Sequence, residues 1–253
     1  MGKILAFCSL LLSLVLPMAG LQAADKDPVK LYLYTENFPP YNMSGSGRAF
    51  EHDRDHIDGL CTEMVKAIMA HTDLDYRMKL RTWDYGYKRV LDHKNHGLFC
   101  TTLTDDRKPL FKWVGPLTNN LWTIFTAANS KLKINRLDDI RGLTIGGYRN
   151  DVKTVYLEKH GFKVSQLDSD DLNPKRLELG QIDVWIGDRL AGPYVASQQD
   201  VEGLIPAYSF NKTELYLAMN PDTSDAVVQK LQDGLKAIHE NGMYQAIEDK
   251  YGL

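Results

Sequence analysis

Residues 98–107 have the sequence LFCTTLTDDR, in which a strand pattern runs directly into a polar turn. The first six residues are apolar or β-branched, which is typical of a strand inside a sheet. Arg107 follows, near the hydroxyl of Thr102. A guanidinium binds a carboxylate through two parallel charge-assisted hydrogen bonds, and threonine hydroxyls and strand-end amides can bond to its remaining lone pairs. We therefore predict a carboxylate-binding site at the end of this strand. The alternative is a solvated arginine in a surface turn.

Strand and helix patterns alternate on both sides of this stretch. Strand patterns cover residues 30–35, 76–80, 98–103, 121–127 and 181–188, and helical periodicity covers residues 61–71, 85–93, 152–160 and 226–250. This alternation predicts an α/β fold with a parallel layer. Short strand connections between two lobes are expected near residues 113–118 and 208–217.

The chain begins with the features of a secretory signal peptide. Lys3 precedes an apolar run over residues 4–16, and small residues lead to Ala23 and Ala24. The run is too short to span a bilayer comfortably, so we predict a signal peptide over residues 1–24 and a periplasmic mature protein. The alternative is an uncleaved N-terminal anchor.

Charge and cysteine content limit the possible partners. Without residues 1–24 the chain has 229 residues, 29 of them basic and 33 acidic, a formal net charge of −4. This balance argues against binding to nucleic acid. Cys61 and Cys100 are the cysteines that remain. An oxidising compartment permits them to pair, but nothing in the sequence brings them together, so a disulfide is left open.

Several motifs occur in an order that resembles a known family. They are FPPY at residues 38–41, TDDR at residues 104–107, IDVWIGD at residues 182–188 and KYG at residues 250–252. Over almost all of the mature chain, the sequence resembles the extracellular solute-binding proteins of family 3, which serve amino-acid ABC importers. The resemblance implies a two-lobed α/β fold of type II periplasmic binding proteins, with the ligand cleft between lobes. Lobe 1 would comprise residues 25–115 and 213–253, and lobe 2 residues 116–212.

The resemblance also implies roles for individual residues. Arg107 would bind a ligand carboxylate with help from Thr102, and Asp188 in the other lobe would bind an α-ammonium. Phe38 and Tyr41 would form a wall of the cleft. A zwitterion that bridges the two lobes would stabilise the closed form over the open one, without a metal or other cofactor.

Two positions depart from the family pattern. Cys100 occupies a strand position where many members have serine. Residues 148–152, YRNDV, replace the usual Gly-Thr-Thr carboxylate loop, although Asn150 or its neighbours can present helix N-terminal amides to an anion. An amino acid or a related carboxylate is therefore the expected ligand. The protein is expected to be a monomer that docks on an importer permease or on a membrane receptor.

The main alternative class is an enzyme on the same fold, a periplasmic dehydratase that acts on prephenate-like acids. Such chemistry requires an acid in the cleft as proton donor, and Glu36 and Asp188 are the candidates. No G-x-S-x-G, H-E-x-x-H or P-loop motif is present in the sequence.

The acids and histidines of residues 51–58 lack a metal-coordination pattern, and we interpret them as a solvated loop. Trp83 and Trp113 are interpreted as packing residues, and Trp122 and Trp185 as core.

Overall fold

The computed structural model describes residue 2 and residues 29–253, so the predicted signal peptide lies outside the described part apart from residue 2. The strands are β1 (Lys30–Thr35), β2 (Met43–Ser44), β3 (Ile57–Asp58), β4 (Asp75–Leu80), β5 (His96–Thr102), β6 (Lys112–Thr126), β7 (Ile145–Tyr148), β8 (Val164–Leu167), β9 (Val184–Asp188) and β10 (Ile205–Met219). The helices are α1 (Leu60–Ala70), α2 (Trp83–Asp92), α3 (Val152–Lys159), α4 (Asn173–Glu178), α5 (Ala191–Ser197), α6 (Asp225–Glu240) and α7 (Met243–Lys250). In the described ranges, no helix has the length and apolar character needed to cross a membrane.

Eight strands form one sheet in the order β4-β1-β5-β10-β6-β9-β7-β8. The strands β4, β1 and β5 are parallel, as are β9, β7 and β8, and the antiparallel strands β10 and β6 lie between these two groups. All seven residues of β5 are buried, which accounts for the continuous apolar and β-branched pattern in the sequence. In both groups, the loops that follow the carboxyl ends of the parallel strands lie near the middle of the sheet.

Among the described residues the hydrophobic core falls into four clusters, and the two largest lie in different lobes. The core of the first lobe surrounds α1 and includes Met64, Ile68 and Leu231, and that of the second lobe includes Ile145 and Ile186. Both long strands contribute to both cores. The predicted boundaries at residues 116 and 213 fall inside β6 and β10 and stay predictions.

The connections between the lobes differ from the predicted short segments. Each is a strand of 15 residues, and β6 begins at Lys112 rather than near Leu121. Pro116 lies inside β6, although proline cannot donate to a ladder. In the structure it lies where the register with β10 shifts between Leu215 and Leu217, and such an irregularity accommodates a proline within a strand.

The C-terminal helical region over residues 226–250 consists of two helices. Gly242 has a φ of 77° and separates α6 from α7. A left-handed glycine ends a helix at little cost, which explains why the continuous periodicity of residues 226–250 is interrupted. The short elements β8, α4 and α5 have no counterpart in the sequence prediction.

Cys61 and Cys100 form a disulfide, with their Cα atoms 5.9 Å apart. Cys61 lies in the first turn of α1 and Cys100 in β5, so the bond fixes this helix to the sheet. The packing of α1 on the sheet brings these cysteines together, which the spacing of 39 residues did not reveal.

Candidate ligand-binding cleft

A cleft of about 290 Å³ lies between the two lobes, at the loops that follow the parallel strands. This is where open α/β sheets usually bind ligands. Seven of the eight predicted site residues line it: Glu36, Phe38, Cys100, Thr102, Arg107, Asn150 and Asp188. The structure therefore brings together residues that are up to 152 positions apart in the sequence.

Arg107 presents a cation to the cleft. Its guanidinium carbon lies 4.8 Å from the centre of the Trp83 ring, and its Nη1 donates to the carbonyl oxygen of Thr102 at 3.4 Å. Burial lowers the pKa of Arg107, but an arginine stays charged at neutral pH even so. The aromatic face holds the guanidinium in place and leaves N–H donors for a carboxylate.

Asp188 lies at the end of β9, on the other side of the cleft. Its Oδ1 accepts hydrogen bonds from the backbone N–H groups of Leu190 at 2.9 Å and Ala191 at 2.8 Å, and its Oδ2 accepts one from Leu121 at 3.0 Å. Burial raises the pKa of Asp188, and these bonds oppose that shift. These hydrogen bonds fix the orientation of the Asp188 carboxylate, which lines the cleft.

Glu36 follows β1 and accepts a hydrogen bond from the hydroxyl of Tyr148 at 2.9 Å. Burial raises the pKa of Glu36 from 4.5 to about 7, despite the lowering effects of Tyr148, Lys153 and Arg107. The side chain is therefore close to half protonated at neutral pH. Its protonation responds to any charge that enters the cleft.

Polar contacts cross the cleft at four points. Besides Tyr148 with Glu36, the Asn150 amide donates to Asp84 at 3.2 Å, the Tyr194 hydroxyl lies 3.4 Å from the sulfur of Met43, and Lys159 bonds to Asp106. Each contact joins a residue of the second lobe to one of the first. The structure therefore has a closed cleft.

The loop before α3 differs from the anion site that the sequence suggested. The backbone N–H of Lys153 bonds to Oδ1 of Asp151 at 2.8 Å, so a side chain of this chain already caps the helix. Asn150 lines the cleft, but its amide bonds to Asp84. One N–H group of the α3 N-terminus is thus engaged, and its predicted role in anion binding stays a prediction.

Lys153 is a cleft residue that sequence reasoning missed. It is buried, its Nζ lies 2.8 Å from Oδ2 of Asp151 and 5.4 Å from the centre of the Phe38 ring. Burial lowers its pKa, but the attraction of Asp151, Asp170 and Asp188 outweighs this effect and the pKa is raised. An Asp-x-Lys pair at a helix start is common on surfaces, and only the tertiary structure reveals its burial.

Tyr41 does not line the cleft, in contrast to the prediction. Its ring is 1% exposed and stacks on Phe38 with ring centres 4.9 Å apart, and its hydroxyl donates to the carbonyl oxygen of Asn119 at 3.2 Å. The turn over residues 38–42 places Phe38 at the cleft and Tyr41 behind it. Tyr41 supports the wall rather than forming it.

Two tryptophans have a larger part in the cleft than expected. Trp83 and Trp185 both line it, although they were interpreted as packing and core residues. Trp185 is buried as predicted, and its indole N–H donates to Oδ1 of Asp170 at 2.9 Å. Burial raises the pKa of Asp170 to about 6, against the effect of this bond and one from Asn173.

Acidic side chains outnumber basic ones in the lining of the cleft. The basic residues are Arg81, Arg107 and Lys153, and the acidic residues are Glu36, Asp151, Asp168, Asp170, Asp171 and Asp188. Three of these acids come from the loop between β8 and α4, where the sequence carried no recognised motif. The cleft is therefore a better environment for added positive charge than for added negative charge.

Glu51 and His52, from the acids and histidines of residues 51–58, bond to side chains outside the cleft or at its edge. Glu51 accepts hydrogen bonds from Ser44 and Ser46, and His52 lies 2.6 Å from the guanidinium of Arg81. Across the residues that the structure describes, no group of three or more His, Cys, Asp or Glu side chains is arranged to hold a metal ion.

Comparison with known proteins agrees with this architecture. The family model of bacterial extracellular solute-binding proteins, family 3, matches residues 33–253. No significant match was found among curated proteins.

Among solved structures, a histidine kinase sensor domain with similarity to periplasmic binding proteins has a TM-score of 0.78 at 18% identity, over 90% of this chain and 98% of that one. The arginine-, lysine-, histidine-binding protein ArtJ from Geobacillus stearothermophilus has a TM-score of 0.73 at 20% identity, over 88% and 95%. An ancestral amino acid-binding protein, a precursor of cyclohexadienyl dehydratase, has a TM-score of 0.73 at 15% identity, over 88% and 94%. These likenesses establish the two-lobed type II periplasmic-binding-protein fold. The chain belongs to the bacterial extracellular solute-binding proteins of family 3.

Proposed function

We propose that this protein binds a neutral or cationic α-amino acid in the cleft and delivers it, in the closed form, to a membrane importer from the periplasm. One observation carries the proposal: Arg107 and Asp188, from opposite lobes, face one cleft of amino-acid size. A cation and an anion so placed match the two charged groups of a zwitterion. A ligand that bonds to both lobes stabilises closure.

The charge of the cleft favours this ligand class over an acidic one. The lining has six carboxyl groups and three cations, so a dicarboxylate would add repulsion. An amine-bearing ligand instead lowers the energy of the ionised acids. Arginine-, lysine- and histidine-binding ArtJ, which has the same fold, is an example of a binder of such ligands.

Titration calorimetry on three variants tests the proposal, after native mass spectrometry of freshly purified protein identifies a retained ligand. Arg107→Ala should weaken binding by roughly 3–5 kcal/mol because it leaves a buried carboxylate unpaired, and Arg107→Lys should recover little. Asp188→Asn should weaken amino acids far more than their deaminated acids. Arg141→Ala, on an arginine that packs on Phe162 outside the cleft, is the matched control. Unchanged affinity in folded Arg107→Ala protein would refute the proposal.

An enzyme is the second candidate, because the pKa of Glu36 is raised to about 7 and a general acid works best near the operating pH. A precursor of cyclohexadienyl dehydratase has the same fold. Product formation from a prephenate-like acid that is lost in Glu36→Gln would support this candidate. The excess of acids in the cleft argues against such a dianionic substrate.

The membrane partner can also be a receptor, since a histidine kinase sensor domain has this fold. Neighbouring genes distinguish the two cases. Permease and ATPase genes support import, whereas a histidine kinase or diguanylate cyclase gene supports signalling.

A further inference from the structure

Asn120 on β6 carries a buried polar atom without a partner. The residue is 3% exposed, and its Oδ1 has no hydrogen bond to any part of the chain that the structure describes. Native proteins rarely leave a buried oxygen of this kind unpaired, and such an atom calls for a specific explanation. Asn120 lines the cleft, so the missing partner is a group that enters it.

Asn120 is a neighbour of Asp188. In the antiparallel pair of β6 and β9, Trp122 is directly opposite Asp188, and Asn120 is two positions away on the same face of the strand. The backbone N–H of Leu121, the next residue, donates to Oδ2 of Asp188 at 3.0 Å. The side chains of Asn120 and Asp188 therefore belong to the same face of two neighbouring strands, and both line the cleft.

Asp188 alone cannot satisfy an ammonium group. A carboxylate accepts about four hydrogen bonds, and the backbone N–H groups of Leu121, Leu190 and Ala191 already use three of these positions. An ammonium has three N–H donors. The ammonium needs further acceptors, and the unpaired Oδ1 of Asn120 lies in the lining of the same cleft.

We infer that Asn120 is a ligand-binding residue whose Oδ1 accepts a hydrogen bond from the ligand nitrogen that Asp188 also binds. The inference rests on the proposed function and narrows its ligand class. The ligand nitrogen carries N–H donors, as in a primary ammonium, and N-trimethylated amino acids, which have none, are excluded.

The test compares Asn120→Leu with Asn119→Leu by titration calorimetry. The probes are the tightest binder among the twenty standard L-amino acids, its 2-deamino acid and its N-trimethyl derivative. Leucine has a similar size to asparagine but no hydrogen-bonding group. Asn119 is the matched control, because it is the adjacent residue on the same strand, is not part of the cleft lining and accepts the hydrogen bond of Tyr41 through its backbone oxygen.

We expect Asn120→Leu to weaken the primary amino acid about 10- to 100-fold, the range for loss of a hydrogen bond to a charged group. The 2-deamino acid should change less than about threefold, and Asn119→Leu should leave both affinities unchanged. The N-trimethyl derivative should bind weakly to wild-type protein, and Asn120→Leu should not weaken it further.

Asn120→Asp is the second variant, because it keeps an oxygen acceptor in the same place if Asn120→Leu does not fold. It should retain or strengthen binding of the amino acid. A loss in folded Asn120→Asp as large as in Asp188→Asn, or wild-type affinity in folded Asn120→Leu, would overturn the inference.

The two proposals fail in different ways. Loss of affinity in Arg107→Ala and Asp188→Asn without loss in Asn120→Leu overturns the role of Asn120 alone. If no amino acid binds wild-type protein, the proposed function is wrong, and the role of Asn120 with it.

Discussion

The hydroxyl of Tyr148 lies 2.9 Å from Oε2 of Glu36 and joins the second lobe to the first across the cleft. The same bond lowers the pKa of a carboxyl group that burial raises to about 7. One contact therefore links closure of the cleft to the charge inside it.

Tyr148→Phe should weaken ligand binding. It removes a hydrogen bond that forms only when the lobes are together, worth roughly 1–2 kcal/mol because Glu36 is only partly ionised, so affinity should fall about 5- to 30-fold. Calorimetry measures the loss, and small-angle scattering should show a more open ligand-free protein. Tyr208→Phe is the control, because Tyr208 stacks on Phe210 outside the cleft. Equal affinities for the two variants would contradict this role.

The stability of the ligand-free protein should depend on pH through Glu36. Its pKa is 4.5 without burial and about 7 in the fold, so between these values the folded chain holds a proton that the unfolded chain has released. The free energy of unfolding should therefore fall as pH rises from 5 to 7.5. The contribution of Glu36 is up to about 3 kcal/mol, at 1.36 kcal/mol per pKa unit.

Glu36→Gln isolates this effect in urea unfolding, because Asp170 and Asp188 also have raised pKa values and persist in the variant. The difference in free energy of unfolding between wild type and Glu36→Gln should change between pH 5 and 7.5. A constant difference would show that Glu36 is ionised throughout.

The sequence predicts the fold better than it predicts the chemistry of the cleft. The first strand was predicted with the bounds that β1 has, Lys30–Thr35, because apolar and polar residues alternate there. Arg107 and Asp188 were assigned to the cleft because the motifs that contain them resemble those of family 3. Such motifs are short and local, so they are visible in the sequence.

The residues that were missed depend on tertiary contacts. The burial of Lys153 depends on Asp151 and on Phe38, which is 115 positions away. Asp170 bonds to the indole N–H of Trp185, 15 positions away, and Asn120 lies in the part of β6 that continues past Pro116. No periodicity or motif marks these residues.

The disulfide of Cys61 and Cys100 should make stability sensitive to reductant. Loss of a disulfide typically lowers the free energy of unfolding by about 2–4 kcal/mol, since the bond constrains the unfolded chain. In urea titrations, dithiothreitol should lower the free energy of unfolding of wild-type protein by this amount. A Cys61→Ala, Cys100→Ala double variant should be less stable than oxidised wild type, and dithiothreitol should not change its stability. Because Cys100 lines the cleft, reduction should also weaken ligand binding. A double variant as stable as oxidised wild type would contradict the structural role.

Gly59 should tolerate substitution far less than Gly142, although both have a positive φ. The φ values are 111° and 84°, so alanine is strained at either position by roughly 1 kcal/mol or somewhat more. A Cβ on Gly59 would lie 2.5 Å from the carbonyl oxygen of Tyr41, whereas a Cβ on Gly142 would meet nothing within 4 Å. The close contact is with backbone, which cannot move without disturbing the turn behind Phe38.

We expect Gly142→Ala to lower the free energy of unfolding by about 1 kcal/mol and Gly59→Ala by about 2–4 kcal/mol in urea titrations. Gly59→Ala should also weaken ligand binding, and equal losses of stability in the two variants would show that the turn adapts.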